Sequence, residues 1–388
     1  MLPACRTREM SSFKVMDVLE AAQAMEARGE HVIHMEIGEP DFDTPQPVKR
    51  AAIRAIEEGK THYTHSLGLP ELRRAIAADY LARYSVTVDP DRILVTSGTS
   101  PAMLLMFGAL LEPGDEVVIS DPCYACYRNF IRFAEGTAVE IPVSEADGFQ
   151  LDAAAVAARL TPRTRAVLLN SPSNPTGTLL APERMAALAE LTREGPLLCS
   201  DEIYHGLVYE GREHSVLEFT DRAFVLGGFS KLYAMTGWRL GWLVAPEGYM
   251  DCLRKAAQNL LICAGSVAQW AGLAALTECA ADVERMRATY DERRRFMIKR
   301  LREIGFSLAC EPTGAFYVMA NARRWTDDAL SFAFEILSEA KVGVTPGTDF
   351  GPGGEGFIRF SYANSIENIA EGLARIERYL AGRGPKGA

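Results

Sequence analysis

Apolar and polar positions along this chain change period several times, and each change marks an element. Residues 15–28, 47–58 and 70–84 repeat their apolar positions every three to four residues, the signature of helices with one buried face. Gly29 and Gly59 close the first two, and Pro70 with Glu71 opens the third, matching the terminal preferences of helices. From residue 93 onward short apolar runs recur: 93–96, 116–120, 138–142, 166–169, 197–200, 223–227 and 240–245. Helical segments separate most of them, such as 101–111 and 182–193. Strands this apolar are buried on both faces, as at the centre of a parallel sheet covered by helices. The pattern predicts an α/β fold with a mostly parallel sheet.

The last third reads differently. Residues 281–304 are charged, lack an interior proline and predict one long helix. Strands near 316–319 and 357–360 and a final helix at 365–380 follow, and residues 382–388 are expected to fray. At 388 residues the chain is long for a single core. The expected parts are an N-terminal arm contributing to a small domain (1–45), a large domain (46–284), and a linking helix with the rest of the small domain (285–388).

Charge and cysteine usage narrow the function classes. The 41 Lys and Arg against 51 Asp and Glu leave −10, opposite to the basic balance of a nucleic-acid binder. No run of about 18 apolar residues predicts a membrane span. Residues 1–10, with Arg6, Arg8 and Glu9, lack the apolar core of a signal peptide. Eight scattered cysteines suit reduced thiols in a cytoplasm. Cys123 and Cys126 form a C-x-x-C without the second pair or the histidines of a zinc site, and read as two cysteines of a packed loop. His31 with His34, and His62 with His65, lie three apart without an acidic or thiol partner motif, so no metal is expected.

In a parallel sheet, functional groups gather just past the carboxyl ends of the strands, where Gly98, Asn174, Asp201 and Lys231 fall. Lys231 follows Phe229-Ser230 and precedes Arg239, whose charge can lower the lysine pKa and bind a phosphate. Asp201 ends an apolar strand, where a carboxylate needs a partner. Asn174-Pro175 marks a turn whose amide can donate to an oxygen. Ser97-Gly98-Thr99-Ser100 precedes a helix whose free N–H groups suit a phosphate, although the P-loop Gly-Lys-Ser/Thr is absent. Alone, each fits an ordinary role: surface lysine, helix N-cap, plain turn. The glycine-rich stretch 351–356, beside Asp349, reads as a flexible loop.

Taken in order, these motifs, with Tyr124 after Asp121-Pro122-Cys123 and Arg359 in Ile358-Arg359-Phe360-Ser361, resemble the class I/II aminotransferases. These are the fold-type I pyridoxal 5′-phosphate (PLP) enzymes of the aspartate aminotransferase superfamily, and the resemblance covers about residues 11–380. It implies a large PLP-binding domain with a mostly parallel sheet flanked by helices, plus a smaller α+β domain. It implies Lys231 as the Schiff-base lysine, Asp201 on the pyridine nitrogen, and Tyr204 with Asn174 at the 3′-oxygen. Tyr124 would stack on the ring, and Gly98, Thr99, Ser100 and Arg239 would hold the phosphate. Arg359 and the backbone of Gly38 would take the substrate α-carboxylate. Tyr63 would reach the phosphate of a neighbouring subunit, giving a homodimer with shared active sites. Many relatives carry a serine at the position of Gly228, and Ser230 is the candidate substitute. The implied activity is transamination between an L-amino acid and a 2-oxo acid. A β-lyase cutting C–S bonds is the alternative on the same fold. A PLP-sensing half of a transcription regulator would need a DNA-binding region ahead of the fold. By the same analogy the side-chain pocket is expected near Phe13, Ile37, Tyr63 and Phe316, apolar enough to favour neutral or aromatic amino acids.

Overall fold

The computed structural model describes residues 2–386. Its first strand, β1 (Ile33–His34), lies far from the next in sequence. Seven strands form the central sheet: β2 (Ile93–Thr96), β3 (Glu116–Asp121), β4 (Thr137–Pro142), β5 (Thr164–Asn170), β6 (Leu197–Asp201), β7 (Ala223–Gly228) and β8 (Gly241–Val244). Their order is β2-β8-β7-β6-β5-β3-β4. Pairing is parallel from β7 through to β4, while β8 runs antiparallel to both β2 and β7. The link from β7 to β8 contains no helix, so the chain folds back instead of crossing over.

Apart from the edge strand β4, both faces of this sheet are buried, and alternate residues serve different cores. Val118, Val167, Leu169 and Val225 join the cluster that continues into the C-terminal part. Val117, Ile119, Ala166, Leu168, Phe224 and Leu226 join the other, with Met103, Phe107 and Tyr127. This period of two places Asp201, which shares parity with Leu197 and Cys199, on the second face.

Strands β9 (Tyr317–Asn321), β10 (Val342–Gly343), β11 (Thr345–Pro346) and β12 (Phe357–Ser361) build the rest. The order β11-β12-β9 is antiparallel, and β10 pairs in parallel with β1. The helix Ala280–Ile304, 25 residues and about 37 Å long, ends at Gly305, whose φ of 106° is left-handed. The final helix is Ile366–Arg383, with Ser365 Oγ accepting from the Asn368 amide. No helix of the described residues is long and apolar enough to cross a membrane.

Two expectations need correction. The 351–356 stretch is not a loose loop: Gly351 and Gly354 are buried, residues Pro352–Gly354 form a 3-10 turn, and the Gly353 amide donates to Asp121 Oδ2 at 2.9 Å. Its glycines permit close backbone approach, since a Cβ on Gly354 would lie 1.9 Å from the Gly347 carbonyl oxygen. Nor does the chain fray from 382. The last helix reaches Arg383, which donates to the Trp325 carbonyl at 2.6 Å, and the Lys386 amide reaches the Arg324 carbonyl at 3.0 Å. Gly387 and Ala388 lie outside the described residues.

Candidate active site

At the carboxyl ends of β5, β6 and β7 a cavity of about 340 Å³ collects residues from both halves of the chain. Lys231, in the link after β7, directs its Nζ to the Gly38 carbonyl at 2.5 Å and lies 5.9 Å from the Phe316 ring centroid. Burial lowers its pKa to about 8; the positive charges of Arg359 and Arg239 act the same way, against Glu39 and Asp201.

Asp201 is the last residue of β6. Its Oδ2 accepts from Tyr127 Oη at 2.7 Å and its Oδ1 from the Ile203 amide at 3.2 Å. Burial pushes this carboxyl up to about 6, while those two donors and Lys231 pull the other way. Tyr127 escaped the sequence reading. It sits one turn beyond Tyr124 in the helix Cys126–Phe133, and only that spacing hinted at it. The two rings meet edge-on at 5.3 Å.

Asn174 Oδ1 accepts from Arg359 Nη1 at 2.8 Å, so its Nδ2 is the group left to donate into the cavity. Tyr204 Oη pairs with Tyr317 Oη at 2.8 Å. Arg359, on β12, also donates to the Glu36 carbonyl at 2.5 Å and to Thr345 Oγ1 at 3.1 Å. Its guanidinium lies 4.3 Å from the Tyr317 ring centroid and 4.9 Å from that of Phe350, while its buried Nε has no partner among the described residues. Position 38 must be glycine here, because a Cβ would stand 2.0 Å from Tyr317 Oη.

Gly98 (φ 94°) precedes the helix Thr99–Leu110, and a Cβ there would lie 2.8 Å from Arg239 Nη2. Gly98, Thr99, Ser100 and Arg239 therefore meet where the helix presents its free amides. Ser230 does not line the cavity. Gly228 is packed beneath it, where a Cβ would meet Ile203 Cδ1 at 2.7 Å. Of the residues expected around a substrate side chain, Phe13 and Ile37 line the cavity. Phe316 is buried and outside the lining, and Tyr63 is 81% exposed and away from this chain's own cavity. His34 is held between Glu36 at 2.6 Å and Glu26 at 3.2 Å, and the described residues contain no cluster of three potential metal ligands.

This arrangement fits PLP. A side chain at Gly98 would fill the anion cradle, a lysine of lowered pKa is available to an aldehyde, and a buried carboxylate is available to a ring nitrogen. Fold and site together define a PLP-dependent aminotransferase of fold type I. The chain belongs to the family described as aminotransferase class I and II, whose model matches residues 30–376. It is 41% identical over 380 residues to the (5-formylfuran-3-yl)methyl phosphate transaminase of Methanocaldococcus jannaschii, covering 97% of this chain and 98% of that one. It is 38% identical over 374 residues to the aspartate aminotransferase of Pyrococcus horikoshii, covering 95% of each. The aspartate aminotransferase of Thermus thermophilus, solved with maleate, superposes with a TM-score of 0.93 at 37% identity, over 97% of this chain and 99% of that one.

Two expected results arise from this geometry. Tyr127→Phe removes a hydrogen bond to a carboxylate, worth roughly 1.5–3 kcal/mol. A loss of about tenfold or more in kcat/KM is expected, with weaker PLP retention on dialysis; unchanged values would mean that the Tyr127–Asp201 contact does not matter. Secondly, the free amine of Lys231 is the expected nucleophile toward the PLP aldehyde. Because its pKa is lowered to about 8, PLP uptake by the apoprotein should accelerate as pH rises and level off above that value. Stopped-flow absorbance across the neutral and alkaline range checks this, and a half-point at the ordinary lysine value would contradict it.

Proposed function

We propose that this chain transfers the amino group of an L-amino acid to a 2-oxo acid in a ping-pong cycle, with Lys231 as the covalent anchor of PLP and as the carrier of the α-proton. One observation supports this above the rest: a half-buried lysine with a pKa lowered to about 8 shares a cavity with a buried carboxylate and two arginines. Bound PLP supplies an aldehyde for amine exchange and an electron-withdrawing ring.

The chain's own groups do the rest. Asp201, steadied by Tyr127, would keep a proton on the ring nitrogen. Asn174 Nδ2 and Tyr204 Oη would donate to the 3′-oxygen, and Tyr124 would stack on the ring. Gly98, Thr99, Ser100 and Arg239 would hold the phosphate. Arg359, its guanidinium oriented by Asn174, Thr345 and the Glu36 carbonyl, binds the α-carboxylate beside the Gly38 backbone. Once released as a free amine, Lys231 takes the α-proton and returns it on the other side of the transfer.

A homodimer belongs to this reading, with Tyr63 of a second copy reaching the phosphate. The exposure of Tyr63, together with that of Leu260 and Ile262 (73% and 47%), supports it. So does the bond from Gln258 to Ser66 at 3.4 Å, which brings those two segments side by side. The division near residues 45 and 285 is proposed on the same footing. Cytoplasmic residence is proposed from eight unpaired cysteines. The test separates the half-reactions. An amino acid alone should convert the holoenzyme's absorbance, and a 2-oxo acid alone should restore it. Turnover that requires both together would refute the ping-pong cycle.

A further inference from the structure

We propose that the donor amino acid carries an apolar or aromatic side chain, and that Asp349 is the positioning residue that presents the wall of its pocket. This rests on the transaminase reading above and names the substrate class of the same site.

The N-terminal segment brings Phe13, Val15, Met16 and Leu19 to the cavity, where they join Ile37. These side chains lie near the start of the helix Lys14–Glu26, which has no side-chain cap of its own. Its cap comes from the other end of the chain. The Lys14 amide donates to Asp349 Oδ1 at 2.8 Å, and the Val15 amide to Asp349 Oδ2 at 3.3 Å. A carboxylate at a helix N-terminus satisfies orphan amides and opposes the helix dipole. Asp349 is only 8% exposed and lies in the turn Gly347–Phe350, next to the packed glycine stretch. Two backbone contacts from one buried carboxylate thus fix where this apolar segment stands. Phe13 extends the wall to the aromatic floor, meeting Tyr124 edge-on at 6.2 Å.

Charge points the same way. The cations lining the cavity are Lys231, Arg239 and Arg359, each already assigned to PLP or to the α-carboxylate. Among the described lining residues no fourth cation remains for a second carboxylate. Glu39 is present instead, accepting a hydrogen bond from Thr236. Against this chain's own lining, a dicarboxylate would place its distal charge on apolar side chains and near a like charge, which is costly without a partner. Relatives named for aspartate therefore do not decide the substrate of this chain.

The holoenzyme can be titrated calorimetrically with two unreactive carboxylates, 3-phenylpropanoate and succinate, alongside spectral half-reactions with phenylalanine, leucine, aspartate and glutamate. Phenylpropanoate should bind at least about tenfold tighter than succinate, and the apolar donors should convert faster. Phe13→Ala should weaken phenylpropanoate about tenfold while leaving propanoate unchanged. Asp349→Ala should raise KM for phenylalanine several-fold with kcat nearly constant, and Asp349→Asn should recover part of the loss. Succinate binding as tightly, a preference for aspartate or glutamate, or an equal effect of Asp349→Ala on alanine and phenylalanine would each overturn the proposal. Tight phenylpropanoate binding with no spectral conversion by any donor would uphold the apolar wall and sink transamination instead.

Discussion

Lys231→Ala is expected to lower turnover by about 10^4-fold or more and to abolish the borohydride-stable pyridoxyl label on the peptide that carries position 231. The magnitude follows from two roles in one side chain. In the proposed cycle the amine would anchor PLP and, once freed, would take the α-proton. Its pKa, lowered to about 8 chiefly by burial, leaves a useful fraction neutral at physiological pH, where an exposed lysine would be almost wholly charged. Lys231→Arg keeps the charge but not the chemistry, since a guanidinium does not give up its proton. It should be as inactive as the alanine variant. Peptide mapping after borohydride, together with single-turnover absorbance, checks both. A wild-type label on another lysine would remove the basis of the assignment.

Asp201→Asn is expected to cost about 10^2–10^3-fold in kcat, because the neutral amide cannot hold a proton on the ring nitrogen. The same change should stabilise the apoprotein at neutral pH. The sign follows from linkage. Burial raises the folded pKa of Asp201 to about 6, above its unfolded value. The stability associated with its protonated form is then complete below the unfolded pKa and is lost as pH rises through about 6. Asparagine has no charge to bury and escapes that loss. Thermal melts of the two apoproteins should keep a constant offset in acid, diverge as pH rises from the unfolded carboxyl value to about 6, and run parallel above that with Asp201→Asn the higher. Parallel melts across the range would show that the carboxylate is not held at such an expense.

Much of the scaffold was legible beforehand because its signals are local. The helices after residues 14, 46 and 70 start within about two residues of their expected positions, and Gly29 and Gly59 take the positive φ values, 86° and 70°, that the helix ends imply. Each expected strand from 93 to 245 appears. The two-residue strands β1, β10 and β11 did not stand out, being too short to show a period. The antiparallel turn of β8 was equally hidden, since apolarity records that a strand is buried and not which way it runs.

The site divides along the same line. Residue type and a place after an apolar run singled out Lys231, Asp201, Asn174 and Gly98, and the fold gathers Lys231, Asp201 and Asn174 around one cavity with Gly98 packed beside Arg239 at its edge. What holds them came only from the tertiary structure: Tyr127 behind Asp201, Tyr317 against Tyr204 and Gly38, the Glu36 carbonyl under Arg359, and Asp349 capping a helix 335 residues upstream. Periodicity and strand-end placement are written into neighbouring residues, because burial and backbone preference act locally. A contact between residues hundreds of positions apart leaves no trace in either neighbourhood. It exists only once closure of the chain and packing of two cores have brought those surfaces together.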